Sequence, residues 1–226
     1  MHGFMSLPGR QVLCRVAALL MAVASHTGAF AQTPLIAAAE SGDLAALQRA
    51  LQAGAALEER DARQRTALMA AVQTNQTDAA RLLIEAGADV NARDGIDDSP
   101  YLLAGARGYL EILRLTLENG ADLESTNRFG GTALIPAAER GHVETVQTLI
   151  AAGVDPDHIN RLGWTALLEA VILGDGGPDH VAIVKLLVDA GADTDIADRA
   201  GVTALQHAKR SGYAEIVEIL QAAGAH

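Results

Sequence analysis

The sequence predicts an all-α solenoid, six helix-turn-helix repeats joined by β-hairpin-type loops, and three observations carry that prediction. A hydroxyl residue recurs at Thr33, Thr66, Ser99, Thr132, Thr165 and Thr203, at intervals of 33, 33, 33, 33 and 38 residues. A glycine series, Gly54, Gly87, Gly120, Gly153, Gly191 and Gly224, keeps the same phase, and its one interval of 38 falls in the same unit. Half of the residues are hydrophobic but only 3% are aromatic, which suits thin, repetitive layers of Ala, Leu, Ile and Val better than one thick core. A fixed period of this length marks a chain whose units bury their faces only against their neighbours.

The elements follow in chain order. Residues 1–31 read as a cleavable export signal. Arg10 and Arg15 give a positive start without an acid, 16–24 is apolar, and 29–31 is the small-x-small Ala-Phe-Ala. The apolar run is short of the ~20 residues that span a bilayer, so no membrane attachment is expected after cleavage. Cys14 precedes that run, where lipidation would place a cysteine at its end, and no cysteine follows it. A thiol-free mature chain suits an oxidising compartment, and the expected location is the periplasm.

Residues 32–226 then form one domain, with repeats at about 33–65, 66–98, 99–131, 132–164, 165–202 and 203–226. Each opens on a Thr or Ser followed by Pro or Ala, an N-cap with a residue suited to the first helical position. Gly42, Gly108, Gly141, Gly174 and Gly212, with Asn75 in the second unit, are expected to stop the first helix in a left-handed turn. The second helix shows apolar residues at helical spacing, as in Val143, Val146, Leu149 and Ile150. Pro136 sits inside its helix, where it deletes the first intrahelical hydrogen bond. The five extra residues of the fifth unit, within 173–180, read as a solvated loop between its two helices. Their Asp and His match no metal-site spacing.

The runs Gly87-Ala88-Asp89-Val90-Asn91-Ala92-Arg93-Asp94, Gly130-Gly131-Thr132-Ala133-Leu134 and Gly141-His142-Val143-Glu144 resemble the ankyrin-repeat family, and the likeness extends over 33–226. One departure is visible. The slot where the family often places an inter-repeat His holds Ile36, Met69, Leu102, Ile135, Leu168 and Gln206, so packing is expected to replace that polar network.

The resemblance implies a concave surface of loop tips and inner helices whose variable positions contact a partner. Those slots hold Arg60, Arg63, Arg65, Arg93, Arg107, Arg128, Arg140, Arg161, Arg199 and Arg210, more than half of the chain's 17 basic side chains. The acids Asp78, Glu85, Glu111, Glu118, Glu144, Asp189, Glu215 and Glu218 fall on the outer helices, so a chain of net charge −11 presents a basic stripe. Apolar residues join it: Phe129, Leu162 and Trp164 in the loops, Ile172 and Leu173 before a turn. Aromatic and Arg clusters are the composition of interface hot spots.

The net charge argues against non-specific nucleic-acid binding, which needs Lys and Arg to displace counterions. Catalysis would need a nucleophile, acid or base set beside its partners. The histidines are scattered over unrelated slots, and His142 fills a turn position usual in the family. The expectation is therefore a monomeric, non-catalytic scaffold without a cofactor that binds another protein on its concave face. Resemblance to exported bacterial ankyrin proteins implies, as partner, an oxidative-stress enzyme such as a catalase, or a toxin to be neutralised. The alternative is a haem carrier, with His180 or His207 on the iron.

Overall fold

In the computed structural model, which describes residues 33–226, twelve helices alternate between an inner and an outer row. They are α1 (Pro34–Ser41), α2 (Leu44–Gln52), α3 (Ala67–Gln73), α4 (Thr77–Glu85), α5 (Pro100–Arg107), α6 (Leu110–Glu118), α7 (Leu134–Glu139), α8 (Val143–Ala152), α9 (Ala166–Ile172), α10 (Pro178–Asp189), α11 (Ala204–Ser211) and α12 (Ala214–Ala222). Odd-numbered helices stack on one another in order, and so do even-numbered ones. The expected export signal lies outside the described residues. None of the described helices is long and apolar enough to cross a membrane.

Five of the six repeat-opening hydroxyls cap a helix. Thr33, Thr66, Ser99, Thr165 and Thr203 each accept the N–H of the third following residue at 3.2–3.4 Å. The sixth does not: α7 starts one residue late with Ala133 at its N-cap, and the buried Thr132 Oγ1 has no partner. Pro136 is the cause. In the other units the residue at its position donates to the capping residue's carbonyl, as Ala70 does to Thr66; Pro has no N–H to give, so the bond that opens the helix one residue earlier elsewhere is missing here.

Gly42, Gly108, Gly141, Gly212 and Asn75 adopt the expected left-handed conformation. Gly174 does not: α9 has Leu173 at its C-cap in a right-handed conformation, and the left-handed residue of this turn is Gly176, at φ 69°. What Gly174 supplies is clearance, since a Cβ there would lie 2.1 Å from the Ala170 carbonyl oxygen and 2.5 Å from His180 Cδ2. The segment after it is not the solvated loop expected from the sequence. Asp175 Oδ1 accepts the Gly177 N–H at 2.8 Å and pairs with His180 Nδ1 at 2.9 Å. His180 Nε2 reaches the Glu139 carbonyl at 3.0 Å, and Tyr213 Oη donates to the Gly174 carbonyl at 3.0 Å. The extra residues are thus a packed joint binding the fifth repeat to the fourth and the sixth.

The core is a row of layers. Leu35, Leu68, Tyr101, Leu134, Leu167 and Leu205 occupy one slot of the inner helices, and each is at most 2% exposed. Burial of such a side chain stabilises by about 2 kcal/mol. Ile36, Met69, Leu102, Ile135 and Leu168 are buried as well, while Gln206, in the last repeat with no neighbour beyond it, is exposed. Packing does replace the histidine network at that slot.

The loops are hairpin-shaped without being strands. Among the described residues the only bridge is an isolated one, Ala197 to Thr203. Each loop folds around one side chain. The Oδ1 atoms of Asp61, Asp94, Asn127, Asn160 and Asp198 accept the N–H groups two and four residues on, at 2.8–3.1 Å. Short Asp and Asn side chains build such turns because they reach their own backbone. The same five residues also donate their own N–H to the carbonyl four residues on, which closes the loop.

Candidate functional site

The turn chemistry fixes what stands at the loop tips. The residue two beyond each Asx side chain has its amide held, so its side chain projects from the tip. In three consecutive loops that residue is Ile96, Phe129 and Leu162, with amide contacts of 3.0, 2.8 and 2.9 Å. Their exposures are 52%, 52% and 49%. Together with the ends of α5, α7 and α9 they enclose a groove of about 620 Å³ whose walls also carry Arg107, Arg128, Arg140, Leu173, Asp98, Glu139, Asn160 and Glu169. Four of the six large hydrophobic side chains exposed among the described residues line it: Ile96, Phe129, Leu162 and Leu173.

The groove's electrostatics follow from neighbours. Arg128 stands 4.5 Å over the Phe129 ring and 3.4 Å from Asp98 Oδ2. Burial raises the Asp98 carboxyl's pKa, and the pull of Arg128 offsets only part of that rise. Arg140 bonds the Ala106 carbonyl, tying the fourth repeat to the third. Arg107, among the described residues, has neither ion pair nor hydrogen bond. Glu169 is 5% exposed and accepts from Asn160 Nδ2 at 2.7 Å. Burial and then Glu139 push its carboxyl up to about 7, against the opposing effects of Asn160 and Arg140.

Of the sequence-predicted residues, the groove gathers Arg107, Arg128, Phe129, Arg140, Leu162 and Leu173. Others are elsewhere. Arg65 is not a surface contact: it is 5% exposed and bonds Asp61, Glu40 and Gln73 at 2.7, 3.0 and 2.7 Å. Burial works to raise the Asp61 carboxyl's pKa, but hydrogen bonds from Arg65 and Arg63 outweigh it and hold it below the usual range. Trp164, in the slot equivalent to Arg65, is half-buried against the core and does not line the groove; Ile172 is the same. Neither is an exposed hot spot.

Much of the basic stripe is a ladder between loops. Arg60 donates to the Arg93 carbonyl, Arg93 to that of Thr126, Arg161 to that of Arg128 and Arg199 to that of Arg161. These bonds join the repeats through the loops, beside the apolar packing of the helices. Arg63 and Arg210 are exposed but lie outside the groove.

The iron-ligand alternative meets an obstacle in both histidines. His180 is 9% exposed with both ring nitrogens engaged, and His207 Nε2 is 2.8 Å from Asp198 Oδ2. Iron at His180 would have to break a bond that joins repeats. His142 is structural as expected, its ring packed where a Cβ on Gly108 would come within 2.7 Å. Among the described residues, no three His, Cys, Asp or Glu cluster as a metal site.

Sequence reading missed Ile96, Asp98, Asn160 and Glu169. Ile96 was legible, lying 33 residues before Phe129. Glu169 was not, because its slot holds Ala37, Ala70, Leu103, Pro136 and His207 in the other repeats and shows no pattern.

The comparisons agree with this architecture. The model for ankyrin repeats in three copies matches residues 12–94 and 102–198. An ankyrin repeat domain from Acinetobacter baumannii AYE is 59% identical, with a TM-score of 0.84 over 85% of this chain and 98% of that one. A second crystallised ankyrin repeat protein is 44% identical, with a TM-score of 0.80 over 83% and 96%. The ankyrin repeat domain of Bcl-3, described as a member of the IkappaB protein family, is 32% identical, with a TM-score of 0.77 over 87% and 88%. No curated protein sequence matches.

Proposed function

The chain belongs to the ankyrin-repeat family, and from that premise we propose that it is a non-catalytic, monomeric scaffold, exported to the periplasm, that holds another protein along its concave groove. The observation that carries the reading is the concentration of exposed apolar side chains in one place. Outside the groove only Leu44 and Ile159, among the described residues, are large hydrophobics left exposed. A patch of that kind beside arginines has the composition of an interaction site. Export is supported by the positive start, the apolar run and the Ala-Phe-Ala sequence of the first 31 residues. The partner proposed is an oxidative-stress enzyme such as a catalase, or a toxin that the scaffold neutralises.

Affinity capture from periplasmic extract of the native host tests the reading. Wild type should retain one protein that a Phe129→Ser, Leu162→Ser double variant releases while its circular dichroism is unchanged. Equal capture by the two forms would remove the groove from the account.

A further inference from the structure

We infer that the groove takes a linear segment of its partner in which a carboxylate stands beside apolar side chains, the carboxylate against Arg107 and Arg140 and the apolar side chains over Phe129, Leu162 and Leu173. The inference rests on the reading of the groove as the partner-binding face and adds the chemistry of the occupant.

Charge complementarity selects the carboxylate. The chain as a whole carries −11, yet three arginines meet in this groove. Arg128 is taken up by Asp98 and the Phe129 ring. Arg107 has no partner among the described residues. Arg140 spends one N–H on the Ala106 carbonyl, and a guanidinium has five donors in a fixed fork. Arg140 also acts on the carboxyls of both Asp98 and Glu169, which places its charge over the groove rather than outside it.

The acids of the same walls set the charge of the ligand. Glu169 is buried against Asn160 and is mostly protonated below its pKa of about 7, so it adds little negative charge to the groove in that range. Asp98 and Glu139 remain in the walls. Arg128 already answers Asp98, so the two available guanidiniums face only Glu139 and leave a net positive charge that attracts a carboxylate. The floor is apolar, made by Leu102, Ile135 and Pro136 of the inner helices, so the rest of the segment is matched by Leu, Ile or Phe side chains. Covering the four exposed hydrophobics removes from water the surface that the fold alone leaves uncovered.

Selection of random linear peptides displayed on phage against the purified protein tests this. The expected consensus pairs Asp or Glu with Leu, Ile or Phe. Synthetic copies should bind wild type, lose roughly tenfold or more with Arg107→Glu, as a charge reversal at a complementary contact does, lose binding with Phe129→Ser, and be unaffected by Arg210→Glu outside the groove. A basic or neutral consensus overturns the inference, as does an empty selection or affinity indifferent to Arg107→Glu. So does a dimer in sedimentation that Phe129→Ser abolishes. Neutral peptides still lost with Phe129→Ser would leave the groove as the binding face and refute only its acid specificity. Peptides indifferent to every groove substitution would refute both.

Discussion

Replacing Glu169 by Gln should stabilise the protein at pH 8 and change little at pH 5. The carboxyl is 5% exposed, and Gln keeps an oxygen where Asn160 Nδ2 donates at 2.7 Å. Burial, then Glu139, lift its pKa from the usual 4.5 to about 7. Below 4.5 the group holds its proton folded or unfolded. Between 4.5 and 7 only the folded chain holds it, so stability falls as pH rises. Above 7 the whole loss is present. At about 1.4 kcal/mol for each pKa unit, the interval amounts to about 3 kcal/mol. His142, whose pKa is lowered by burial and then by Arg140, contributes to the pH dependence with the opposite sign, but it is common to both proteins and cancels in their difference. Urea unfolding followed by circular dichroism at the two pH values gives that difference. A Glu169→Gln gain of the same size at pH 5 and pH 8 would refute the reasoning.

Three further outcomes follow from the same contacts. Asn160→Ala removes the acceptor of the Leu162 and Trp164 amides and the donor to Glu169; it should cost about 3 kcal/mol in chemical denaturation, since each orphaned buried group costs about 1–3 kcal/mol. Thr165→Val should lose about 1 kcal/mol with its cap, whereas Thr132→Val should be neutral or stabilising because Thr132 Oγ1 has no bond to lose; equal losses at the two sites would contradict the assignment. Arg65→Ala leaves the buried carboxyl of Asp61 without its cation and should destabilise by about 3 kcal/mol or more; a loss within the range of an exposed arginine would show that the network is not buried in solution.

The periodic features of the fold were legible because they are local. A hydroxyl cap, a left-handed glycine and an apolar row are each set by a few adjacent residues and are repeated in phase. Pro136 could be read in advance as a lost hydrogen bond for the same reason. What could not be read depends on contacts across repeats. Arg65 and Arg63 look alike in sequence, yet one is buried on Asp61, Glu40 and Gln73 and the other stands in solvent. Trp164 looks like an exposed anchor, but it packs against the core, in the slot where Arg65 too is buried. The residues of 174–180 resemble an ordinary loop until Tyr213 and Glu139, 39 and 41 residues from their bonding partners, close on it. The groove itself was half visible: its basic and aromatic walls follow the repeat, while the buried Glu169 that conditions its charge does not.

The most direct measurement is photo-cross-linking in the native host, with a photoreactive residue in place of Leu162 in the groove or of Glu118 on the outer face. If the groove is the partner-binding face, light should yield a discrete adduct with one other protein from position 162 and none from position 118. An adduct from 118 alone, or the same adduct from both, would contradict it.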